Sequence, residues 1–440
     1  MIGSCSTAAP KVTVSLRDTR SAELYERALQ YLPGGVNSPV RAMRSIGRDP
    51  IFIERGSGAE LTDVDGNTYI DYVCSWGPLI LGHGDPEVLA AIAAAAADGT
   101  TFGAPTAGEV EIAELVSHRV ASIEMLRMTS SGTEAAMSAI RLARAATGRE
   151  KLLKFAGAYH GHLDGLLAEA GSGLATNAQP TSPGVPSAAT AATVIVPWND
   201  AAAFIAATEQ HEFAAILAEP YPANMGLVPP TDGFLELLRE RATATGALLV
   251  FDEVISGFRV AAGGAQELTG VLPDITALGK IFGGGVPAAA YGGSRELMEM
   301  IAPAGDVYQA GTLSGNPLAV AAGLATLKRL DDAAYVRLQA TTDALATGLR
   351  EAAKASEVPV DVAHTTGLCT VFFSEHPVVD YASAQRCDLE LYGSWCRALL
   401  ARGVYPPASQ FETWFPSLAH TPEQIEQTIE IAAAAFAEIA

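Results

Sequence analysis

The run ALLVFDEV, residues 247–254, is apolar for five consecutive positions and then ends in two carboxylates. A strand without polar alternation is buried on both faces, as in parallel sheets covered by helices on either side. Working outward, Lys151 to Phe155, TVIVP (193–197) and AAILAEP (214–220) repeat the pattern, with helical segments near 200–209 and from Gly233 to Thr245 between them. Apolar strands alternating with amphipathic helices predict an α/β fold, a parallel or mixed sheet with helices on both faces. Ligands in such sheets gather at the carboxyl ends of the strands. Asp252 therefore stands where a ligand would be met, although it would serve equally as a turn cap.

Downstream, TALGKIFGGG (276–285) places Lys280, one of six lysines, in an apolar run that breaks into Gly283, Gly284 and Gly285. Burying an ammonium without a partner is costly, and the amine responds by losing its proton more readily. A neutral amine can form a Schiff base with a carbonyl, and glycines let the backbone pass close to a bulky ligand. The competing reading is a lysine whose stem lies along a strand end with its charge in solvent. Upstream, a short strand, a small-residue turn and a helix meet at Ser131-Gly132-Thr133-Glu134. Ser131 and Glu134 form a capping-box pattern, and the same helix start offers N–H groups, hydroxyls and a positive dipole end to a phosphate. The strand 151–155 leads to a turn carrying Tyr159, His160 and His162. An aromatic there can stack on a ring, and with no third ligand of matching type nearby no metal site is expected.

The other segments frame this centre. A helix is predicted over 21–32 with Leu24, Ala28, Leu29 and Leu32 on one face, then a hairpin over 59–73 about Asp65-Gly66-Asn67. Helices follow from Pro86 to Ala97, from Ala107 to Val120, and from Pro317 to about Asp331. The last third carries a strand over 368–374, a helix near 384–402 and another from Pro422. Three parts are expected: an N-terminal segment (1–75), a large domain (76–325) and a smaller C-terminal α+β domain (326–440). Residues 171–190, rich in small residues with Pro180, Pro183 and Pro186, read as a lid or as a plain connection; the lid is the expectation carried forward.

Composition narrows the partners. With 49 acidic against 28 basic residues the formal net charge is −21, which repels nucleic acid and anionic membranes. Five cysteines show neither a CxxC pair nor zinc-ligand spacing, so free thiols in a reducing cytoplasm are expected. No export signal or membrane span is expected either.

A phosphate seat at Ser131, Gly132 and Thr133, an aromatic at Tyr159, a carboxylate at Asp252 and an amine at Lys280 together describe pyridoxal phosphate chemistry. On these residues, and on SGTEA, FDEV and the Lys280 segment, the chain resembles class III members of the aspartate-aminotransferase-like (fold type I) pyridoxal phosphate enzymes. GGVNSPVRA, SWGPLILGHG, FGAPT, YHGH, AGSG, NMG, GFRVAAGGAQ and VYQAGTLSGNPLA resemble the aminomutase branch of that class. The likeness runs from about Ser21 to the C-terminal helix.

The resemblance implies pyridoxal 5′-phosphate and pyridoxamine 5′-phosphate as cofactor forms, with Lys280 as the Schiff-base lysine and proton carrier. Asp252 would partner the ring nitrogen, and Ser131, Gly132 and Thr133 would seat the phosphate with Thr312 of a neighbouring subunit. Tyr159 would lie against the ring, with His160 and Asn224 completing the cofactor site. Ser38 and Arg41 would hold the substrate carboxylate, a task that suits a guanidinium. Trp76 and Ser172 would line the substrate pocket, and Glu412 would face the reacting amino groups. The activity implied is conversion of glutamate-1-semialdehyde to 5-aminolevulinate through 4,5-diaminovalerate, in tetrapyrrole synthesis. The alternative is a class III aminotransferase with separate donor and acceptor. A homodimer with a shared active site, and transient contact with the reductase that makes the aldehyde, are implied too. Ser130, Cys74 and Thr413-Trp414 depart from the pattern, which has asparagine, glycine and small residues there; Trp414 is expected to bring an indole near the pocket wall.

Overall fold

The computed structural model describes residues 16–167 and 182–440. Ser172 and most of the expected lid lie outside the described residues.

Thirteen strands occur among the described residues, in three sheets. A small sheet holds β1 (Ile53–Ser57), β2 (Glu60–Asp63) and β3 (Thr68–Asp71), closed by β13 (Val404–Tyr405), which runs parallel to β3. The central sheet holds β4 (Met125–Thr129), β5 (Lys151–Phe155), β6 (Thr193–Val196), β7 (Phe213–Ala218), β8 (Leu248–Glu253), β9 (Ile275–Leu278) and β10 (Ala289–Gly293), in the order β4-β10-β9-β8-β7-β5-β6. A hairpin of β11 (Asp361–Thr365) and β12 (Leu368–Phe372) forms the third. In the central sheet β10 alone is reversed, antiparallel to both β4 and β9; the other neighbours are parallel. The expected apolar runs are these parallel strands, and β7 is buried at every position.

Helices pack on the sheet through small residues. Gly132–Thr147 buries Ala135, Ala136, Ala139 and Ala143, which allow close approach, and begins with the reciprocal Ser131–Glu134 capping box. Asp85 caps Pro86–Asp98 by accepting from the N–H groups of Glu87 and Val88. The hairpin turn puts Gly66 at φ +86°, where glycine is favoured.

Several boundaries differ from expectation. The first helix is Thr19–Ala28, stopping short of Pro33, because a residue before proline disfavours helical geometry and Gly34 turns left-handed. Its expected apolar face is not a core face in this chain: Ser21 is its buried residue, and Leu29 is about half exposed. The helix from Pro317 ends at Leu327, and Asp331 caps a separate 24-residue helix, Asp332–Ala355. The segment near 384–402 splits into Tyr381–Gln385 and Leu389–Leu400, the second capped by Asp388.

The N-terminal and C-terminal segments share one core, in which Met43, Ile46, Tyr69 and Tyr72 pack with Leu345, Trp395, Trp414 and Phe436. Trp395 stacks on Phe436 with centroids 4.8 Å apart and on Trp414 at 5.6 Å. Trp414 thus points into this core and does not line the cavity around Lys280. An indole there fills space against Tyr72 and Trp395 that smaller residues would leave open.

Candidate active site

Five parallel strands end at one edge of the central sheet, and their last residues or following turns supply the site. β8 ends with Asp252 and Glu253. Alternation along a strand sends the two carboxylates to opposite faces. Asp252 accepts from His160 Nδ1 at 2.8 Å and from the Val254 N–H at 3.1 Å. Glu253 accepts from Ala265 N–H and Gln266 Nε2, at 2.6 and 3.1 Å, on the other side.

β9 ends at Leu278, and after Gly279 the chain enters a tight turn with Lys280 at φ +47°. A non-glycine residue in the left-handed region stores about 1 kcal/mol or more and is common where function demands it. Lys280 is surrounded by protein yet opens onto a cavity of about 340 Å³. Burial pushes its amine below the usual lysine value, against the opposing pull of Asp252, Glu412 and Glu219.

The same cavity is lined by Ser130, Ser131, Gly132, Thr133, Tyr159 and His160. The first turn of Gly132–Thr147 has no carbonyls behind it, so the N–H groups of its opening residues lack intrahelical partners. Glu134 Oε2 holds the turn by accepting from the N–H groups of Ser130 and Ser131 at 2.7 and 3.0 Å. Gly161, at φ +81°, lies so close that a Cβ there would stand 2.4 Å from Thr133 Oγ1. The capping reading is what these bonds show, and the same turn lines the cavity into which the anion-binding reading would place a phosphate.

Tyr159 is fixed by its N–H donating to Glu219 Oε1 at 2.9 Å, and Glu219 Oε2 accepts from Asn224 Nδ2 at 2.8 Å and from Ala223 N–H at 3.1 Å. Burial, with Glu412 and Asp252 nearby, raises the Tyr159 phenol above its usual value. Burial likewise raises the Glu219 carboxyl, helped by Asp252 and opposed by His160. Glu219 was missed in the sequence. The signal was available: AAILAEP puts an acid just past the carboxyl end of the strand next to β8.

Other expected residues lie elsewhere. Glu412 is buried and close enough for its charge to act on Lys280 and Tyr159. Arg41 and Trp76 line a second cavity, about 450 Å³, with Arg55, His83 and Tyr405; the Lys280 cavity does not include them. Trp76-Gly77-Pro78 links the two spaces, since Pro78 lines the Lys280 cavity. Ser38 is half-buried and lines neither cavity, and Thr312 is exposed on the surface. Cys74, Ser75 and Trp76 all have positive φ, so Cys74 carries backbone strain that the glycine of the resembled pattern would avoid.

Residues 43–436 match the family model described as aminotransferase class-III. A protein of Brevibacillus brevis named glutamate-1-semialdehyde 2,1-aminomutase 2 is 54% identical over 414 residues, covering 93% of this chain and 96% of that one. Among solved structures, an omega-transaminase from Sphaerobacter thermophilus superposes with a TM-score of 0.89 at 35% identity, covering 95% of this chain and 97% of the other. A glutamate-1-semialdehyde-aminomutase variant from Pseudomonas aeruginosa PAO1 in complex with PMP gives 0.86 at 27% identity, covering 96% and 95%.

Proposed function

Since the chain belongs to the class III aminotransferase family, we propose that it is a pyridoxal-phosphate-dependent aminomutase converting glutamate-1-semialdehyde to 5-aminolevulinate in tetrapyrrole synthesis. The observation that carries the reading is the convergence of the Lys280 amine, the Asp252 carboxylate and a helix N-terminus on one cavity. The 54% identity to an aminomutase along nearly the whole chain supports this activity over transfer between two separate compounds. The omega-transaminase likeness, at 35% identity, is what favours that second reading.

The residues present fit the cofactor. A cavity of about 340 Å³ is within the range of roughly 300–1,000 Å³ that holds small ligands. Its groups also match the parts: the N–H groups of Gly132 and Thr133 and the hydroxyls of Ser131 and Thr133 for a phosphate, Asp252 for a protonated ring nitrogen, Tyr159 for a ring face, Lys280 for a carbonyl. When bound, the group supplies an electron sink for the carbon that bears the amine.

The chain's own residues do the rest. Lys280, disposed by burial toward its neutral form, can accept a proton at Nζ and return it. Asp252, held by His160 and Val254, keeps a fixed negative charge at its end of the cavity without reorganising. Glu219 orients Tyr159 and Asn224 by accepting from the Tyr159 N–H and from Asn224 Nδ2, with a third hydrogen bond from the Ala223 N–H. Arg41 would hold the substrate carboxylate, with Ser38, Trp76, Ser172 and Glu412 completing the substrate contacts. The reaction passes through 4,5-diaminovalerate, which must stay bound until its second amine reacts.

The working form we propose is a homodimer in which Thr312 of one subunit reaches the phosphate seat of the other. Its exposed position, between the exposed Tyr308 and Leu313, supports this. The parts 1–75, 76–325 and 326–440 belong to the same proposal, as do a cytoplasmic location, supported by four buried free thiols among the described residues, and delivery of the aldehyde by contact with the reductase that makes it. The test is to supply the semialdehyde alone. Formation of 5-aminolevulinate without added donor or acceptor is expected; a requirement for a second amino compound would establish the transaminase instead.

A further inference from the structure

Arg259 has no part in the chemistry above, yet its side chain is completely buried. Among the described residues no carboxylate pairs with it. Its guanidinium donates to three main-chain carbonyls: Gly77, Gly367 at 3.1 Å and Pro416 at 3.2 Å. It also lies 5.1 Å from the Phe415 ring centroid. The three carbonyls belong to the Trp76-Gly77-Pro78 link, the β11–β12 turn and the stretch following Glu412. Burying a cation without an anion costs several kcal/mol, and neutral donors could tie three carbonyls more cheaply. The positive charge itself therefore calls for a use.

Gly77 is where this tie meets the site. A Cβ on Gly77 would stand 3.0 Å from the Phe415 ring and 3.3 Å from Lys280 Cδ. The residue whose carbonyl Arg259 grips is thus the one along which the Lys280 stem lies. The loop carrying Arg259 is fixed in turn by Glu253, which accepts from Ser256 Oγ at 3.0 Å and from Ala265 N–H. We propose that Arg259 is a positioning residue for the Lys280 amine, pinning the Gly77 wall along the lysine stem with a side chain that is itself a cation.

The charges around Lys280 agree with this geometry. Asp252, Glu412 and Glu219 favour its protonated form, while Arg259 joins burial in favouring the neutral one. The inference rests on Lys280 being the reacting amine.

The test is competitive acylation of the full chain, freed of cofactor, between about pH 6 and 11, with peptide mass spectrometry reading Lys280 against exposed Lys354. In Arg259→Met the Lys280 midpoint should rise, by about half a pH unit or less, since Arg259 acts less strongly on it than burial or the three carboxylates, while Lys354 stays put. Arg259→Lys keeps the charge but reaches fewer carbonyls; its midpoint should stay near that of the parent while turnover by the holoenzyme falls about tenfold. An unchanged Lys280 midpoint in a cooperatively folding Arg259→Met protein would overturn the proposal and leave Arg259 a structural tie. Should Arg259→Met not fold, Arg259→Lys decides, and parent-like turnover there overturns it. Borohydride reduction and peptide mapping of the parent holoenzyme separate the two ideas. Label on a lysine other than Lys280 defeats the functional reading, whereas the acylation midpoints judge Arg259.

Discussion

Asp252 accepts through both of its oxygens, Oδ2 from His160 Nδ1 and Oδ1 from the Val254 N–H. Asp252→Asn keeps one acceptor oxygen for the Val254 N–H, meets His160 with an amide N–H that requires Nδ1 to become the acceptor, and loses the negative charge offered to a ring nitrogen. Turnover should fall about 100-fold while cofactor retention changes far less; steady-state rates and a dialysis assay read the two, and parent-like turnover would reduce Asp252 to a turn cap. His420 shows the opposite use of burial. Its Nδ1 accepts from the Ser417 N–H at 3.0 Å, and its ring stacks on Tyr72. Burial pulls its pKa from 6.5 down to about 4, against the pull of Asp71. Between those two values the unfolded chain binds more protons than the folded one, so acidification favours unfolding. The His420 contribution is intact above pH 6.5 and is lost as pH falls to about 4, amounting to about 3 kcal/mol. Denaturant midpoints should show His420→Gln losing less stability than the parent between pH 7.5 and 4.5; parallel curves would show that His420 does not titrate there.

At the level of elements, the turn 156–161 and the helix beginning at Gly132 are fitted so closely that one methyl group should part them. Gly161→Ala would combine a left-handed φ with a Cβ 2.6 Å from the Thr133 Cα. A loss of about 2 kcal/mol is expected in denaturant unfolding, with cofactor dissociating at least tenfold faster; parent-like dissociation would show that the helix N-terminus does not hold the phosphate. Much of this arrangement was legible in the sequence, because β7 is an unbroken apolar run, β8 has four apolar residues before its two carboxylates, and Ser131 to Glu134 spell a helix start. β10 was not. Its sequence AAYGG lacks branched residues because neighbouring strands crowd its backbone: a Cβ on Gly292 would stand 2.7 Å from the Met125 carbonyl oxygen, and one on Gly293 2.5 Å from that of Asp274. Small residues chosen for close approach carry no periodicity to read. Arg259 and Trp414 escaped for a related reason: sequence alone shows neither which carbonyls a buried guanidinium will meet nor which side of a strand-like segment an indole will take.

For the whole molecule, the surface rather than the core makes the strongest demand. Phe102, Tyr308 and Leu313 are each more than half exposed, Tyr308 at 71%, and Thr312 does not line the Lys280 cavity. A dimer should appear as the active species in sedimentation, with Tyr308→Glu weakening it at least tenfold; an active monomer would contradict the shared site. No helix among the described residues is long and apolar enough to cross a membrane. The reversed strand also governs when this protein becomes competent during its manufacture. β4 sits at the sheet edge with β10 as its neighbour, pairing Thr129 with Ala289, so the strand leading to Ser130 and Ser131 waits about 160 residues for its partner. A ribosome must carry synthesis to Ala289 before that strand has a neighbour. A nascent chain that stops before residue 289 can already pair β9, β8, β7, β5 and β6 in register; what it lacks is the neighbour that seats β4 and, with it, the turn from Ser130 to Thr133, so on the proposed function cofactor capture is a late event in biosynthesis.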